Sequence, residues 1–261
     1  MEEQGNMPFL NHLEELRWRL VRAAIAIIIV GTVIWFYQEE IIDIVFLSMA
    51  KKDFITFQIM CKYFGICITE IPIKFQSMTV SGQFSYALMM SFLGGIVVTF
   101  PYLFYQIWAF VKPGLKFNEK NLARGIVLYV SLLFFLGIIF GYYIVAPLSI
   151  QFFGSYQMSS KIENIFTINS YMSTILSTVF YCGIFFLLPV VTYLLTKIGL
   201  FDSAFLKKYR KHAIVIILIL AAIITPPDVI SQVIVSIPIL ILYEIGIVVS
   251  KSVEKQKSKE D

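Results

Sequence analysis

Phe100–Arg124 reads FPYLFYQIWAFVKPGLKFNEKNLAR, an apolar and aromatic segment that runs into a short basic hairpin. Tyr105 and Trp108 are amphipathic aromatic residues of the kind that lie at a bilayer boundary, and the basic residues after them mark the side on which a membrane segment ends. The hairpin carries a single carboxylate, Glu119, among three lysines and an arginine. This acidic residue either forms a surface ion pair with a neighbouring lysine or binds a cationic partner.

The composition of the chain is that of an integral membrane protein. Hydrophobic residues make up 58% of the 261 positions and charged residues 15%, against roughly 45–50% and 25% in soluble domains. The net charge of +4 comes from basic residues spread over loops that flank the hydrophobic segments, so nucleic acid is not the expected partner. The three cysteines have no metal-ligand spacing, and Cys61 and Cys67 are either free thiols or a pair in an oxidising compartment.

The N-terminal region predicts an amphipathic helix that leads into the first membrane span. Its apolar side consists of Phe9, Leu13, Leu16 and Leu20, and its polar side of His12, Glu15, Arg19 and Arg22. Glu15 stands one helical turn before Arg19, the favourable order for a helical ion pair worth about 0.2–0.5 kcal/mol. Glu15 is therefore either satisfied within its own helix or a binding residue.

The hydrophobic runs predict an all-α polytopic membrane protein, with residues 1–261 forming one domain. The six predicted spans cover about residues 20–36, 87–111, 125–150, 173–195, 213–224 and 229–249. Residues 37–85 predict an ordered outer cap with some strand or short helix, and residues 251–261 a solvated, charged tail. Proline within four of the spans is expected to bend them into a concave arrangement; these prolines are Pro101, Pro147, Pro189 and Pro238.

The fifth predicted span is short. Its roughly 12 apolar residues give about 18 Å of helix, against a hydrocarbon core of about 30 Å. Thr225 and Asp228 follow with the spacing of a helix start. We expect either a thinned bilayer or a partner helix at this edge, and we assign Asp228, Gln232 and Glu244 to partner docking.

The distribution of basic residues predicts the orientation in the membrane. Five of the 21 basic residues lie on one side of the predicted spans, and the rest lie on the other. The five are Lys51, Lys52, Lys62, Lys74 and Lys161. By the positive-inside rule, both termini and the Glu119 hairpin face the cytoplasm.

The predicted spans contain almost no charged side chains. Glu244 is the one carboxylate within them, and it is either a hydrogen-bonded structural acid or a functional group. We predict no catalytic residue, metal or cofactor, because the sequence has no nucleophile and base pair and no catalytic motif. A small-solute secondary transporter is the main alternative, but such a carrier requires a polar central cavity, which the apolar spans do not suggest.

Four stretches resemble the TatC family, the multispanning subunit of the twin-arginine (Sec-independent) protein translocase. They are FLNHLEELRWRL from Phe9, FPYLFYQIWAFVKPGLKFNE from Phe100, LGIIFGYYIVAPL from Leu136 and TPPDVISQVIVSIPILILYEIG from Thr225. The likeness covers nearly the whole chain except the first outer loop and the tail. One position departs from the family: Leu187 stands two residues before Pro189, where the family commonly has Glu or Gln. This departure argues against a mechanism that requires a carboxylate in the middle of the membrane.

The resemblance implies a receptor without catalytic residues or cofactors that binds signal peptides bearing paired arginines at its cytoplasmic face. It further implies assembly with TatA/TatB-type single-span subunits and other copies of the chain, and export of folded proteins driven by the proton-motive force. The implied signal-peptide residues are His12, Glu15, Arg17, Phe110 and Glu119. Glu15 and Glu119 suit this role because a guanidinium binds a carboxylate through a bidentate fork that lysine cannot reproduce.

Overall fold

A computed structural model describes residues 9–65, 67, 74–111, 123–159, 165–224 and 229–260. These residues are almost entirely helical. In chain order the α-helices are α1 (Phe9–Phe36), α2 (Gln38–Ile41), α3 (Ile55–Phe64), α4 (Gly82–Val111), α5 (Ala123–Phe140), α6 (Ala146–Ser155), α7 (Ile168–Phe185), α8 (Leu188–Lys197), α9 (Ser203–Lys208), α10 (Arg210–Ile224) and α11 (Val229–Glu260). Two short strands, β1 (Lys74–Gln76) and β2 (Ile165–Thr167), pair in parallel.

Five helical segments in the described part of the chain are long and apolar enough to cross a membrane. They are His12–Phe36, Gly82–Val111, Gly125–Ser155, Ile168–Lys197 and Gln232–Lys255. These segments confirm the all-α polytopic prediction. The predicted fifth span corresponds to α10, whose 15 residues give about 22 Å of helix, so the crossing by α10 stays a prediction.

Several helices extend beyond the predicted spans. Helix α1 runs for 28 residues without a break, so the amphipathic lead-in and the first span form one continuous helix. Helix α11 continues to Glu260, which means that the predicted solvated tail begins as an ordered helix. The physical reason is local packing, because Val253 is buried and the Glu254 carboxylate accepts hydrogen bonds from the backbone N–H and the hydroxyl of Ser203.

The described residues of the predicted outer region between α1 and α4 contain strand and short helix, as predicted. They form a π-helical turn (Ile42–Phe46), a 3-10 turn (Leu47–Ala50), α3 and β1. Two tyrosine hydroxyls anchor the turns, with Tyr142 donating to the carbonyl of Val45 (2.8 Å) and Tyr171 to that of Phe46 (2.6 Å). A disulfide joins Cys61 to Cys67, and this resolves the alternative that the sequence left open.

The four prolines have two different effects on their helices. Pro101 and Pro238 lie inside continuous helices, whereas Pro147 and Pro189 stand in the first turn of α6 and α8. A π-helical turn (Gly141–Val145) precedes Pro147. Proline has no N–H for the carbonyl four residues earlier, and the Thr56 hydroxyl donates to that carbonyl, Tyr143, instead.

The chain divides into two compact units. The first contains Met1–Gln38 and Ala87–Leu132, and it holds α1 and most of α4. Within it the two helices approach closely at glycine, since a Cβ added to Gly95 would lie 2.9 Å from the carbonyl oxygen of Ile27 and 3.2 Å from the nitrogen of Gly31. Small residues allow this backbone approach between membrane helices.

The second unit contains Glu39–Tyr86 and Leu133–Asp261. Its apolar core brings together α7, α10, α11 and the π-helical turn before α6. The buried residues of this core are Val145, Cys182, Ile217, Ala221, Val235 and Ile239. Helix α8 packs along α11, where the side chain of Thr192 occupies the space that a Cβ on Gly246 would fill.

Candidate functional site

The candidate site is built on the first turns of α1, in the first compact unit. Helical periodicity places His12, Glu15 and Arg19 on one side of this helix. The Glu15 carboxylate is paired with Arg19: the Arg19 Nε and Nη2 atoms lie 2.9 and 2.5 Å from Glu15 Oε1. The second oxygen of Glu15, Oε2, lies 4.0 Å from His12 Nδ1. The intrahelical ion pair suggested by the spacing is therefore present, and both Arg19 contacts end on the same carboxylate oxygen.

Arg19 also connects α1 to α4. Its third nitrogen, Nη1, lies 3.4 Å from the amide oxygen of Gln106, and Gln106 is buried. Sequence reasoning assigned no role to Gln106 beyond its place in a family motif. The sequence feature that could have indicated a role for Gln106 is its polar side chain in an otherwise apolar segment, one helical turn before Phe110.

A ring contact between His12 and Phe110 makes a second connection between the same two helices. The imidazole of His12 and the ring of Phe110 stack with their centroids 4.2 Å apart and their planes 15° apart. His12 thus touches both Phe110 and the edge of the Glu15 carboxylate. The structure brings together three of the predicted residues, His12, Glu15 and Phe110, at one end of the α1 and α4 pair.

Arg17 lies apart from this group. Residues two positions apart on a helix point about 200° away from each other, so Arg17 and Glu15 occupy different sides of α1. The Arg17 guanidinium instead lies 3.3 Å from Glu14 and 5.5 Å from the centre of the Trp18 ring. Both partners of the Glu14 and Arg17 pair are well exposed, and such a pair adds little stability, about 0–1 kcal/mol.

Glu119 and Asp228, two further predicted residues, lie outside the described residues. The two other predicted docking residues belong to the second unit and have contacts there. The Gln232 amide nitrogen donates to the carbonyl of Leu218 on α10 (3.0 Å). Glu244 lies 2.6 Å from Arg210, also on α10. Both side chains therefore link α11 to α10.

Within the described part of the chain, no three His, Cys, Asp or Glu side chains lie close enough together to hold a metal ion. What the site in the first unit can do is bind a cation. Glu15 retains an oxygen that Arg19 does not contact, and a carboxylate accepts about four hydrogen bonds over its two oxygens. His12 and Phe110 add a flat aromatic surface next to it, of the kind on which a guanidinium stacks.

Comparison with known proteins connects this arrangement to a family. A sequence model of the TatC family, described as Sec-independent protein translocase protein (TatC), matches residues 11–238. The TatC protein of Blattabacterium sp. subsp. Periplaneta americana is 40% identical over 98% of this chain and 99% of its own length. The TatCy protein of Bacillus subtilis is 32% identical over 98% of this chain and 93% of its own length.

A solved structure agrees with these relatives. A crystal structure of the twin-arginine translocase receptor TatC superposes with a TM-score of 0.73 and 30% identity, covering 93% of this chain and 99% of that one. These comparisons favour a protein translocase over the small-solute transporter that the sequence left as an alternative. The chain belongs to the TatC family and is a multi-pass membrane subunit of the twin-arginine, or Sec-independent, protein translocase.

Proposed function

We propose that this chain is the signal-peptide receptor of its translocase and that it binds two adjacent arginines of the peptide through Glu15 and Glu119. The family match and the solved relative, a twin-arginine translocase receptor, support the assignment at the level of the whole protein. In this proposal Glu15 binds one guanidinium and Glu119 the other. His12 and Phe110 contribute an apolar and aromatic wall beside Glu15.

The observation that carries the proposal is the geometry of the Glu15 carboxylate. Arg19 contacts Oε1 with two nitrogens and is itself held by Gln106. This arrangement fixes the Glu15 side chain before the peptide binds, so less side-chain entropy is lost on binding. A peptide guanidinium then binds Oε2, next to the stacked rings of His12 and Phe110.

Arg17 has a different place in the proposal. It lies on another side of α1, beside Glu14 and the exposed ring of Trp18. We propose that Arg17 contacts the residues of the peptide that flank the arginine pair, because a cation does not bind a second cation directly. Its contribution is expected to be smaller than that of Glu15.

The proposal includes the setting of the receptor. The chain crosses a bacterial cytoplasmic membrane six times as a single membrane domain, with both termini and the peptide site in the cytoplasm, as the distribution of basic residues predicts. Folded cargo crosses at the expense of the proton-motive force. The receptor acts together with further copies of itself and with TatA/TatB-type single-span subunits.

We place the docking edge for single-span subunits on α10 and α11, at the short fifth span. Gln232 and Glu244 hold these two helices together through Leu218 and Arg210. Their role in docking is to fix the helix pair against which a partner helix packs. Asp228 belongs to the same edge by its position between the two helices in the sequence.

Peptide binding to the purified chain tests the proposal. A fluorescent signal peptide with two adjacent arginines is compared with the same peptide carrying two lysines, and anisotropy measures both dissociation constants. We expect the arginine peptide to bind at least about tenfold more tightly, because loss of a bidentate charged hydrogen bond costs about 1.5–3 kcal/mol. Glu119→Ala should reduce this preference, because Glu15 still binds one guanidinium. Equal affinity for the two peptides in the unaltered protein contradicts the proposal.

A further inference from the structure

We infer that residues 198–212, the segment that joins α8 to α10, form a binding site for the phosphate headgroup of anionic phospholipids. The segment begins directly after a helix long and apolar enough to cross the membrane, which ends at Lys197. It contains α9 and the first turn of α10. A segment that directly follows a membrane span lies at the depth of the lipid headgroups.

Aromatic rings form an unbroken row of ring contacts along this segment, with the first pair stacked and the next two tilted. The ring centroids of Phe201 and Phe205 are 5.1 Å apart, those of Phe205 and Tyr209 are 4.5 Å apart, and those of Tyr209 and His212 are 5.4 Å apart. Phe205 and Tyr209 remain 42% and 39% exposed. Leu200, just before α9, is 66% exposed. Exposed rings and apolar side chains of this kind insert at the boundary between headgroups and acyl chains.

The carboxylates near this segment already have partners. Asp202 caps α9 by accepting from the backbone N–H of Phe205 (2.5 Å). Glu254 accepts from Ser203, with Oε2 2.6 Å from the Ser203 hydroxyl. Glu244 pairs with Arg210 at 2.6 Å.

Of these carboxylates only Glu244 is paired with a cation, and three lysines outnumber the other two, so the segment keeps a net positive charge. Lys207, Lys208 and Lys211 are all exposed, and no salt bridge involves any of them among the side chains that the structure describes. Lys208 Nζ lies 6.0 Å from the centre of the Tyr209 ring, so charge and aromatic surface are adjacent. Lysine binds phosphate as a point charge.

These features together select an anionic lipid as the ligand. Each lysine next to a membrane strengthens binding to anionic lipid about fivefold, the equivalent of about 1 kcal/mol. A soluble phosphate would use the lysines but not the exposed Leu200 and Phe205 side chains. A lipid uses both, because its phosphate meets the lysines while its glycerol and acyl region meets the apolar side chains.

Native mass spectrometry of the full chain tests the site. The protein is released from detergent micelles with phosphatidylglycerol or with phosphatidylcholine of the same acyl chains, and bound lipid is counted at each concentration. We expect phosphatidylglycerol to bind about tenfold more tightly. The double variant Lys207→Gln and Lys208→Gln should lose most of this preference.

Two control variants separate the site from general charge effects. Lys51→Gln with Lys52→Gln removes the same charge from two exposed lysines in the outer region and should leave the preference unchanged. Lys207→Arg with Lys208→Arg keeps the charge and should also retain it, which shows that the segment folds normally. Equal loss in the outer control, no loss in Lys207→Gln with Lys208→Gln, or displacement of the lipid by millimolar inorganic phosphate each overturns the inference.

Discussion

Arg19 is the residue on which the geometry of the candidate site depends most. Its three guanidinium nitrogens are distributed between Glu15 on its own helix and Gln106 on α4. Guanidinium is planar and rigid, so fixing one nitrogen orients the other two. Gln106 is therefore a positioning residue: it holds Arg19, and Arg19 holds Glu15.

Replacing Gln106 tests whether it positions Glu15 through Arg19. Gln106→Leu keeps the volume of the buried side chain but removes the acceptor for Arg19 Nη1. We expect it to weaken binding of the arginine peptide by about 0.5–1.5 kcal/mol, the contribution of one hydrogen bond, in an anisotropy titration. The lysine peptide should be affected less, because an ammonium group depends less than a planar guanidinium on the orientation of the carboxylate. Unchanged affinity for the arginine peptide would show that Arg19 positions Glu15 without help from α4.

One contact of the candidate site could be predicted from the sequence, and two could not. The Glu15 and Arg19 pair follows from one helical turn of spacing, so it was open to prediction. The contact of Arg19 with Gln106 and the stack of His12 on Phe110 depend on where α1 and α4 cross. The crossing is fixed by glycine packing far along the two helices, which a pattern of polar and apolar residues does not reveal.

At the scale of elements, the approach of α1 to α4 depends on which neighbour each glycine faces. A Cβ on Gly95 would meet backbone atoms of α1, with the Ile27 oxygen 2.9 Å away. A Cβ on Gly94 would also come within 2.9 Å of an atom, but that atom is Cδ1 of Ile34, at the end of a flexible side chain. Backbone cannot yield without moving the helix, whereas a terminal methyl can rotate away.

Two adjacent alanine substitutions therefore form a matched pair. Gly95→Ala should destabilise the protein by about 1–3 kcal/mol through overpacking, while Gly94→Ala should have little effect. Thermal unfolding of the purified protein in detergent measures both. If the two variants unfold at the same temperature, the close approach at Gly95 does not limit how α1 and α4 pack.

The effect of the four prolines on their helices could be predicted from the sequence only in part. Proline marked four positions of weakness, and at Pro147 and Pro189 the structure begins a new helix. At Pro101 and Pro238 the helix continues. At Pro147 the freed carbonyl of Tyr143 accepts a hydrogen bond from the Thr56 hydroxyl, which comes from a distant part of the chain and could not be predicted from the proline alone. The concave arrangement expected from the prolines stays a prediction.

Helix α10, with 15 residues, is short for a membrane-spanning helix. Its roughly 22 Å falls short of a hydrocarbon core of about 30 Å, and each ångström of mismatch costs a fraction of a kcal/mol. A partner helix that covers α10 relieves the mismatch. The sequence predicted that this helix is short. The structure adds that Gln232 and Glu244 on α11 both contact residues of α10.

Single cysteines on α11 test the docking edge. Val233, Ile237 and Ile241 are 44%, 51% and 55% exposed, whereas Val235 and Ile239 are 1% and 2% exposed. Cysteines at the three exposed positions should form crosslinks with a co-expressed single-span subunit, and cysteines at the two buried positions should not. The native cysteines leave a low background, because Cys182 is buried and the other two form a disulfide. Crosslinks that form on exposed α5 positions such as Leu128 and Leu132, but not on α11, place the edge elsewhere.

Titration of the arginine peptide against three variants distinguishes a Glu15 that binds the peptide from one that only neutralises Arg19. Glu14→Ala, which removes the neighbouring exposed carboxylate, should bind like the unaltered protein. Glu15→Ala should bind about 10 to 100 times more weakly, equivalent to about 1.5–3 kcal/mol. The double variant Glu15→Ala with Arg19→Ala should remain as weak, because the peptide has lost its acceptor. Recovery of full affinity in the double variant would contradict the account, since it would mean that Glu15 serves only to pair Arg19.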